Sequence, residues 1–348
     1  MSASGIATVA RQEFRLRIRA GRWKLLLGLW FVVLLLFTAL LCGALSQVSE
    51  DELPFKGTVL FGGLMLFVLA LALLVVPALA AQSVNGDRER GTLATLQVTR
   101  LSAAEIVLGK FAAAWGTALV FLALTLPLVA YAMTQDGVPF GRVLVVLLVL
   151  ALLLGTVCAI SLFLSAVLSR TTTSGVLAYL AVFGLTVGTL IVFGLVTAVT
   201  AEPYTETFEV SCEGAPPDSG CVAGTQSYES TRVRTDRTWW LLAPNPFVVL
   251  ADAAPQLPLA PPDEQSEFGV QARDLDPLGQ LGSTVRDLRD EPLPDGATLG
   301  PSPDAGDGGP VWPTGLAVDV LRGAGALALT VRRLRTPTRD LPKGQRVA

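Results

Sequence analysis

The sequence predicts an all-α polytopic membrane protein of six transmembrane helices, and three observations carry that reading. First, 51% of its 348 residues are hydrophobic and only 16% are charged, against about a quarter charged in a soluble chain; mean hydropathy is +0.56. Second, the apolar residues gather into runs of about 20 or more, the length that crosses a ~30 Å hydrocarbon core. Third, the basic residues are partitioned. With the N-terminus inside and six spans threaded, 17 of the 26 Lys and Arg fall in inner segments and eight outside, with Arg322 inside the sixth span. Short inner loops rich in Lys and Arg are what the positive-inside rule requires. Acidic residues run the other way, five inside and 23 outside with Asp319 in the membrane, so the net charge of −3 conceals a strong polarity across the bilayer.

Residues 1–23 precede the first span and contain GIATVARQEFRLRIRAGRW. Read as a helix, Arg11, Arg15, Arg19 and Arg22 share one face, while Ile6, Val9, Phe14, Leu16 and Trp23 spread around the other and Arg17 falls outside the pattern. A basic amphipathic helix of this kind suits the cytoplasmic membrane surface, with anionic headgroups on one side and acyl chains on the other. The plainer alternative is a charged anchor without defined shape, and FRLRIR also alternates as a strand does.

Five spans follow at Lys24–Leu45, Thr58–Ala81, Ile106–Met133, Val143–Leu168 and Ser174–Val199, with a weaker sixth at Trp312–Val331. The first is too long for a signal-peptide core of roughly 7–15 residues, and Cys42 in LLCG lacks the small preceding residue of a lipoprotein site. Small residues at Gly184 and Gly188, and at Ala151, Gly155 and Ala159, point to close helix packing. Pro77 and Pro127 are placed to kink their helices. In the sixth span Asp319 and Arg322 lie at i, i+3, each costing roughly 2.5–3.5 kcal/mol at a helix centre on insertion scales. Pairing offsets part of that cost, so both should face protein or water, as a structural pair or along a pathway. The basic tail 332–348 anchors the inner end.

Between the last two spans, residues 200–311 read as a long, irregular extracytoplasmic segment. Thr200–Pro313 holds 16 of the 22 prolines, with many acids and glycines and little periodic pattern, a composition expected to be loop-like or disordered. One apolar island, residues 237–255, is interrupted by Pro244-Asn245-Pro246 and carries Trp239 and Trp240, which suit a membrane interface. An interfacial hairpin is the expected form, a surface-packed loop the alternative. Cys212 and Cys221 fall in this outer segment, where a disulfide is expected; zinc is the rival, but the chain has no histidine. Cys42 and Cys158 lie within spans, where a thiol packs.

The inner loop 82–105 is the polar exception among the apolar runs. Asn85-Gly86-Asp87 reads as a turn, Thr92–Gln97 as a short helix with Leu93 and Leu96 on one face, and Ser102 with Glu105 as a capping box opening the third span. The run DRERGTLATLQVTRLSAAEIVLGK resembles the first cytoplasmic loop of the membrane subunits of type-2 ABC exporters. The matching residues are Glu89, Arg90, Gly91, Thr92, Leu93, Leu96, Thr99, Leu101, Ser102, Glu105, Ile106, Leu108, Gly109 and Lys110, with Arg100 where the family usually has proline.

The resemblance implies that Glu89, Arg90, Gly91, Thr92, Leu93, Leu96, Arg100 and Leu101 form a coupling helix docked on a separate ATPase subunit. It implies an elbow helix over the N-terminal segment that bears Arg11, Arg15, Arg19 and Arg22. It also implies a second permease subunit, as homodimer or heterodimer, contact with membrane lipid, and a place in the cell membrane with both termini cytoplasmic. No nucleic acid is expected as a partner. ATP and Mg belong on the partner ATPase, since this chain has no G-x-x-x-x-G-K-[ST] phosphate loop; no cofactor, metal or catalytic residue is expected here.

Other function classes fare worse. With no histidine, neither H-E-x-x-H metalloprotease chemistry nor a serine–histidine mechanism is available, and an aspartyl mechanism lacks a second membrane carboxylate. A secondary transporter or channel, or a membrane-anchored receptor uncoupled from ATP, is the alternative. The first five spans offer almost none of the midplane polar groups such transporters use. Arginine outnumbers lysine 22 to four, which points to a GC-rich bacterial, actinobacterial genome.

Overall fold

The computed structural model describes residues 2–19, 22–47, 55–89, 101–135, 137–210, 224–255, 276–289 and 309–335. Among the described residues, six helical stretches are long and apolar enough to cross a membrane: Trp23–Leu45, Lys56–Glu89, Ala103–Met133, Phe140–Val167, Thr171–Val199 and Trp312–Leu334. The all-α polytopic architecture is therefore realised.

In chain order, α1 (Ala3–Arg19) precedes α2 (Arg22–Leu45), the first span. The second span is α3 (Lys56–Ala80), followed after a turn by α4 (Asn85–Glu89). The third span is two helices, α5 (Ala103–Ala123) and α6 (Leu126–Met133). Proline explains the break: Pro127 has no N–H for the carbonyl of Ala123 and its ring crowds that oxygen, so α5 stops there. The fourth span is α7 (Phe140–Val167), reached through Gly137, whose φ of 84° requires glycine. The fifth is α8 (Thr171–Phe183), one π turn (Gly184–Gly188) and α9 (Thr189–Val199). The sixth is α12 (Trp312–Leu334).

Helices α3 and α7 form the centre of the bundle. Phe61, Leu64, Met65 and Leu69 of α3 interlock with Leu150 and Leu154 of α7, and with Phe121 of α5. Trp23 and Trp30 of α2 close on Phe121 at ring distances of 5.5 and 4.9 Å. Lipid tails are as apolar as these side chains, so close fit rather than water exclusion selects the partners. The row Ala151–Gly155–Ala159 admits Trp115, whose indole N–H donates to the Ala151 carbonyl at 2.8 Å.

The weak apolar signal of the last span has a packing cause. Its buried stripe is Gly315, Asp319, Gly323, Ala326 and Thr330, and this small, polar face lies against α7. There the Thr156 hydroxyl donates to the Asp319 carbonyl at 3.1 Å, and a Cβ on Gly323 would meet Thr156 at 3.2 Å.

Within 200–311 the described residues form regular elements that the sequence pattern did not single out. A hairpin pairs β1 (Glu202–Val210) with β2 (Gly224–Arg232), from Glu202 opposite Arg232 to Val210 opposite Gly224; Tyr204, Thr205, Thr207 and Phe208 suit strands. Two 3-10 turns (Thr235–Arg237 and Trp239–Leu241) lead to α10 (Pro246–Ala253), and α11 (Pro277–Asp287) follows. The apolar island packs inward: Val248, Val249, Leu250 and Ala251 are buried, and α10 lies against the second, fourth and sixth spans, α3, α7 and α12. Asp252, fully buried, accepts from Arg286 Nε at 2.6 Å and from the amides of Val311 and Trp312 at 2.6 and 2.8 Å. Those amides are the unpaired donors that open α12, so one carboxylate ties α10, α11 and the last span together.

Candidate functional site at the loop after the second span

Loop 82–105 leaves α3 at one end of the bundle, where α5 begins and α7 ends. Its centre, holding Arg90, Gly91, Thr92, Leu93, Leu96 and Arg100 and the expected helix at Thr92–Gln97, lies outside the described residues. Both flanks are described, and each is tied into the bundle.

On the incoming flank, the last carbonyls of α3 lack intrahelical partners. Arg17 donates to the Leu79 carbonyl at 3.5 Å and to the Thr117 hydroxyl at 3.3 Å. Lys110 donates to the Ser83 carbonyl at 3.0 Å. Cations here complement the negative end of the helix. The Lys110 ammonium, with no side-chain exposure, also pairs with Glu13 of α1 and Asp87 of α4. Burial pushes the Arg17 guanidinium below its ordinary value while Glu13 pulls the other way.

The turn expected at Asn85-Gly86-Asp87 is instead the single-turn α4, a correction with a clear cause. The Ser165 hydroxyl of α7 accepts from the amides of Val84 and Asn85, both at 3.1 Å, and so satisfies the first donors of that turn. The α7–α8 link completes the support. Asn85 donates to the Arg170 carbonyl at 3.4 Å, Glu89 accepts from the Thr171 amide at 3.2 Å, and Ser174 donates to the Ala81 carbonyl at 2.7 Å.

On the outgoing flank the capping box forms: Glu105 Oε2 accepts from the Ser102 amide at 2.8 Å, and Ser102 Oγ from the Glu105 amide at 3.3 Å. Glu105 Oε1 also accepts from the amide and hydroxyl of Ser2 at 2.5 and 3.0 Å. The same carboxylate therefore opens α5 and holds the start of α1. Contact between the two helices is tight. A Cβ on Gly109 would lie 2.6 Å from Val9, and one on Gly5 would lie 3.1 Å from Glu105 and Leu101.

The other residues singled out by the sequence lie apart from this network. Arg11, Arg15 and Arg19 are exposed on one face of α1 with Thr8, Gln12 and Leu16, and Arg22 opens α2. Asp319 and Arg322 pair at 3.3 Å. Cys212 and Cys221 lie outside the described residues. Nothing in the sequence assigned a role to Glu13, Arg17 or Ser165, Asp87 reads only as part of a turn, and Lys110 stood out only as a match to the family pattern. A lysine within an apolar span was the available signal, since such a charge needs a partner; the partner's identity was not legible.

Lys110 pairs with Glu13 and Asp87, Glu105 is held by neutral donors of Ser2 and Ser102, and among the described residues no cluster of His, Cys, Asp or Glu is arranged to hold a metal. The site's arrangement suits mechanical connection: the loop, α1, α3, α5 and the α7–α8 link share one polar network.

No curated protein matches the chain. The model of a family described as ABC-2 family transporter protein matches residues 7–250, which includes most of α1, five spans, the loop and most of α10. With that match over most of its length and six membrane-spanning helices, the chain belongs to the ABC-2 transporter family and is a multi-pass membrane permease component of an ABC transporter.

Proposed function

We propose that this chain is the permease subunit of an ATP-driven exporter, coupled through loop 90–100 to a separate ATPase subunit. The observation that carries this reading is the anchoring of both loop flanks, Asp87 on Lys110 and Glu105 on Ser2. A push on a loop held this way reaches α1, α3, α5 and α7 together. Leu93 and Leu96 bury in the partner's cleft, with Glu89, Arg90 and Arg100 setting register. ATP and Mg are held by the partner, which also supplies the hydrolysis; the permease acts as a dimer, of like or unlike subunits, in contact with lipid. The loop faces the cytoplasm, with both termini.

Replacing Leu93 and Leu96 together by aspartate puts two charges into an apolar contact, where desolvation is costly. The variant is expected to accumulate in the membrane, because the loop lies outside the lipid and the capping box remains. It is expected to lose co-purification with the ATPase, or transport-coupled hydrolysis. Full assembly and full transport by this variant would overturn the docking. Orientation has its own test: in a background without native cysteines, a cysteine at Ser227 should label in intact cells and one at the exposed Gln82 should not.

A further inference from the structure

A half-open cavity of about 500 Å³ lies between the fifth span, the turn ahead of α10 and the last span. Its wall is made by Gly184, Gly188, Thr189 and Val192 on one side, Trp239 and Trp240 at one end, and Thr314, Val318 and Arg322 on the other. This wall is built rather than incidental. Asn245, itself buried, donates to the Thr186 carbonyl at 2.7 Å and the Thr189 hydroxyl at 2.8 Å, while its own oxygen caps α10 by accepting from the Phe247 amide at 2.9 Å. One side chain thereby fixes the π turn of the fifth span against the start of α10. Isolated π turns of this kind concentrate at functional sites. The paired glycines read from the sequence as helix-packing residues do not pack here: a Cβ on Gly184 meets nothing within 4 Å.

Arg322 decides what the cavity fits. It lies ten residues into α12, roughly 15 Å along the helix at 1.5 Å per residue, which is mid-depth in the membrane. A cation there is costly unless partnered. Asp319 supplies a single hydrogen bond, to Nη1, and 42% of the Arg322 side chain is exposed. A guanidinium has five donors in a planar fork that matches phosphate or carboxylate. Around it the walls are apolar and aromatic, and Val187, Leu190, Ile191, Leu195 and Leu321 expose further apolar surface nearby.

We infer that this cavity binds the headgroup of an anionic amphiphile, with its acyl chain left in the surrounding lipid. The inference rests on the permease reading and gives it a cargo class: phosphate- or carboxylate-headed, entering laterally from the bilayer. Trp239 and Trp240 line the outer end, where Arg289 stacks over the Trp239 ring at 4.8 Å, and Arg322 receives the headgroup at mid-depth.

The full chain in phosphatidylcholine nanodiscs, with neither ATP nor ATPase, isolates binding from coupling. Tryptophan fluorescence is titrated with brominated-acyl phosphatidylglycerol and, separately, with brominated-acyl phosphatidylcholine; the variant Trp239→Phe/Trp240→Phe defines the cavity's share of the signal. Preferential quenching by the anionic lipid is expected, relieved by dodecyl phosphate and not by a neutral detergent of equal chain length. Asp319→Asn/Arg322→Gln, which leaves no buried carboxylate unpaired, should lose that preference roughly tenfold, the worth of a charge-assisted hydrogen bond. Arg332→Gln, at the far end of α12, should keep it. Equal quenching by the two lipids in the wild-type chain, or preference surviving the double variant, overturns the site. Should the double variant fail to accumulate, absence of relief by dodecyl phosphate in the wild type overturns it equally. None of these results bears on ATPase docking, so the two readings fail separately.

Discussion

Lys110→Met removes the ammonium on which α1, α4 and α5 converge while keeping a stem of similar bulk. The lysine side chain has no exposure, whereas Glu13 and Asp87 retain 19% and 18%. Removing one partner of a buried pair costs roughly 3–5 kcal/mol, and partial hydration of the two carboxylates places this case at the low end, about 3 kcal/mol. The Ser83 carbonyl also loses a donor. Since about 1.4 kcal/mol is a factor of ten, local opening should become roughly 100-fold more frequent. Hydrogen–deuterium exchange of the purified chain in detergent reads this directly. Amides of Ala3–Arg19 and Asn85–Glu89 should lose about that much protection, while those of α10 and α11, at the other end, should not change. The triple variant Glu13→Gln/Asp87→Asn/Lys110→Met, which removes the stranded charges, should recover most of it. Unchanged exchange in α1 and α4, or a triple variant as exposed as the single one, would refute the reasoning.

Three further outcomes follow from single contacts. Gly109→Ala places a Cβ 2.6 Å from Val9 and 3.1 Å from the Ile6 carbonyl, an overpacking that costs about 1–3 kcal/mol; faster exchange confined to α1 and the start of α5 is the expected result. Asp252→Ala strands Arg286 and two amides at the start of α12 and should cost roughly 3–5 kcal/mol, seen as a lower thermal midpoint in detergent, with Asp252→Asn intermediate. Asp276 gives a prediction of opposite sign. Burial holds its carboxyl above the ordinary 3.8, against the weaker pull of the Gly279 and Leu278 amides. The folded state therefore binds the proton more tightly, and the stability this group contributes is full below 3.8 and lost as pH rises through the folded value. Asp276→Asn should accordingly raise the thermal midpoint near neutral pH and have no effect in acid; a lower midpoint at neutral pH would contradict it.

Much of this protein was legible because a membrane simplifies the physics. Every backbone polar group in hydrocarbon must be satisfied locally, so apolar runs of sufficient length can only be helices, and six were readable from hydropathy alone. The Ser102–Glu105 capping box was equally local: both partners lie within one turn, and it forms as read. Pro127 broke its span where backbone chemistry requires. The hairpin and α11 were not legible within 200–311 because their residues present little apolar pattern in a stretch dominated by proline and acid.

What the tertiary structure alone decided is which charges meet. Lys110 lies 97 residues from Glu13 and 23 from Asp87, and Asp252 lies 59 from the Val311 amide it accepts from. No local period relates such pairs. They exist because a buried charge must find its counter-charge wherever close packing brings the backbones together, and that approach is set by Gly109 against Val9 and by Gly315 against the Ala243 carbonyl. The sequence determined the number of spans and the break at Pro127, since those follow from each segment's own backbone chemistry and exchange with lipid and water. Only the packed bundle decided which arginine went inward. Arg17, outside the helical pattern of its neighbours, reaches the end of α3, while Arg11, Arg15 and Arg19 stay exposed, because one face of α1 is committed to α5 and the other is not.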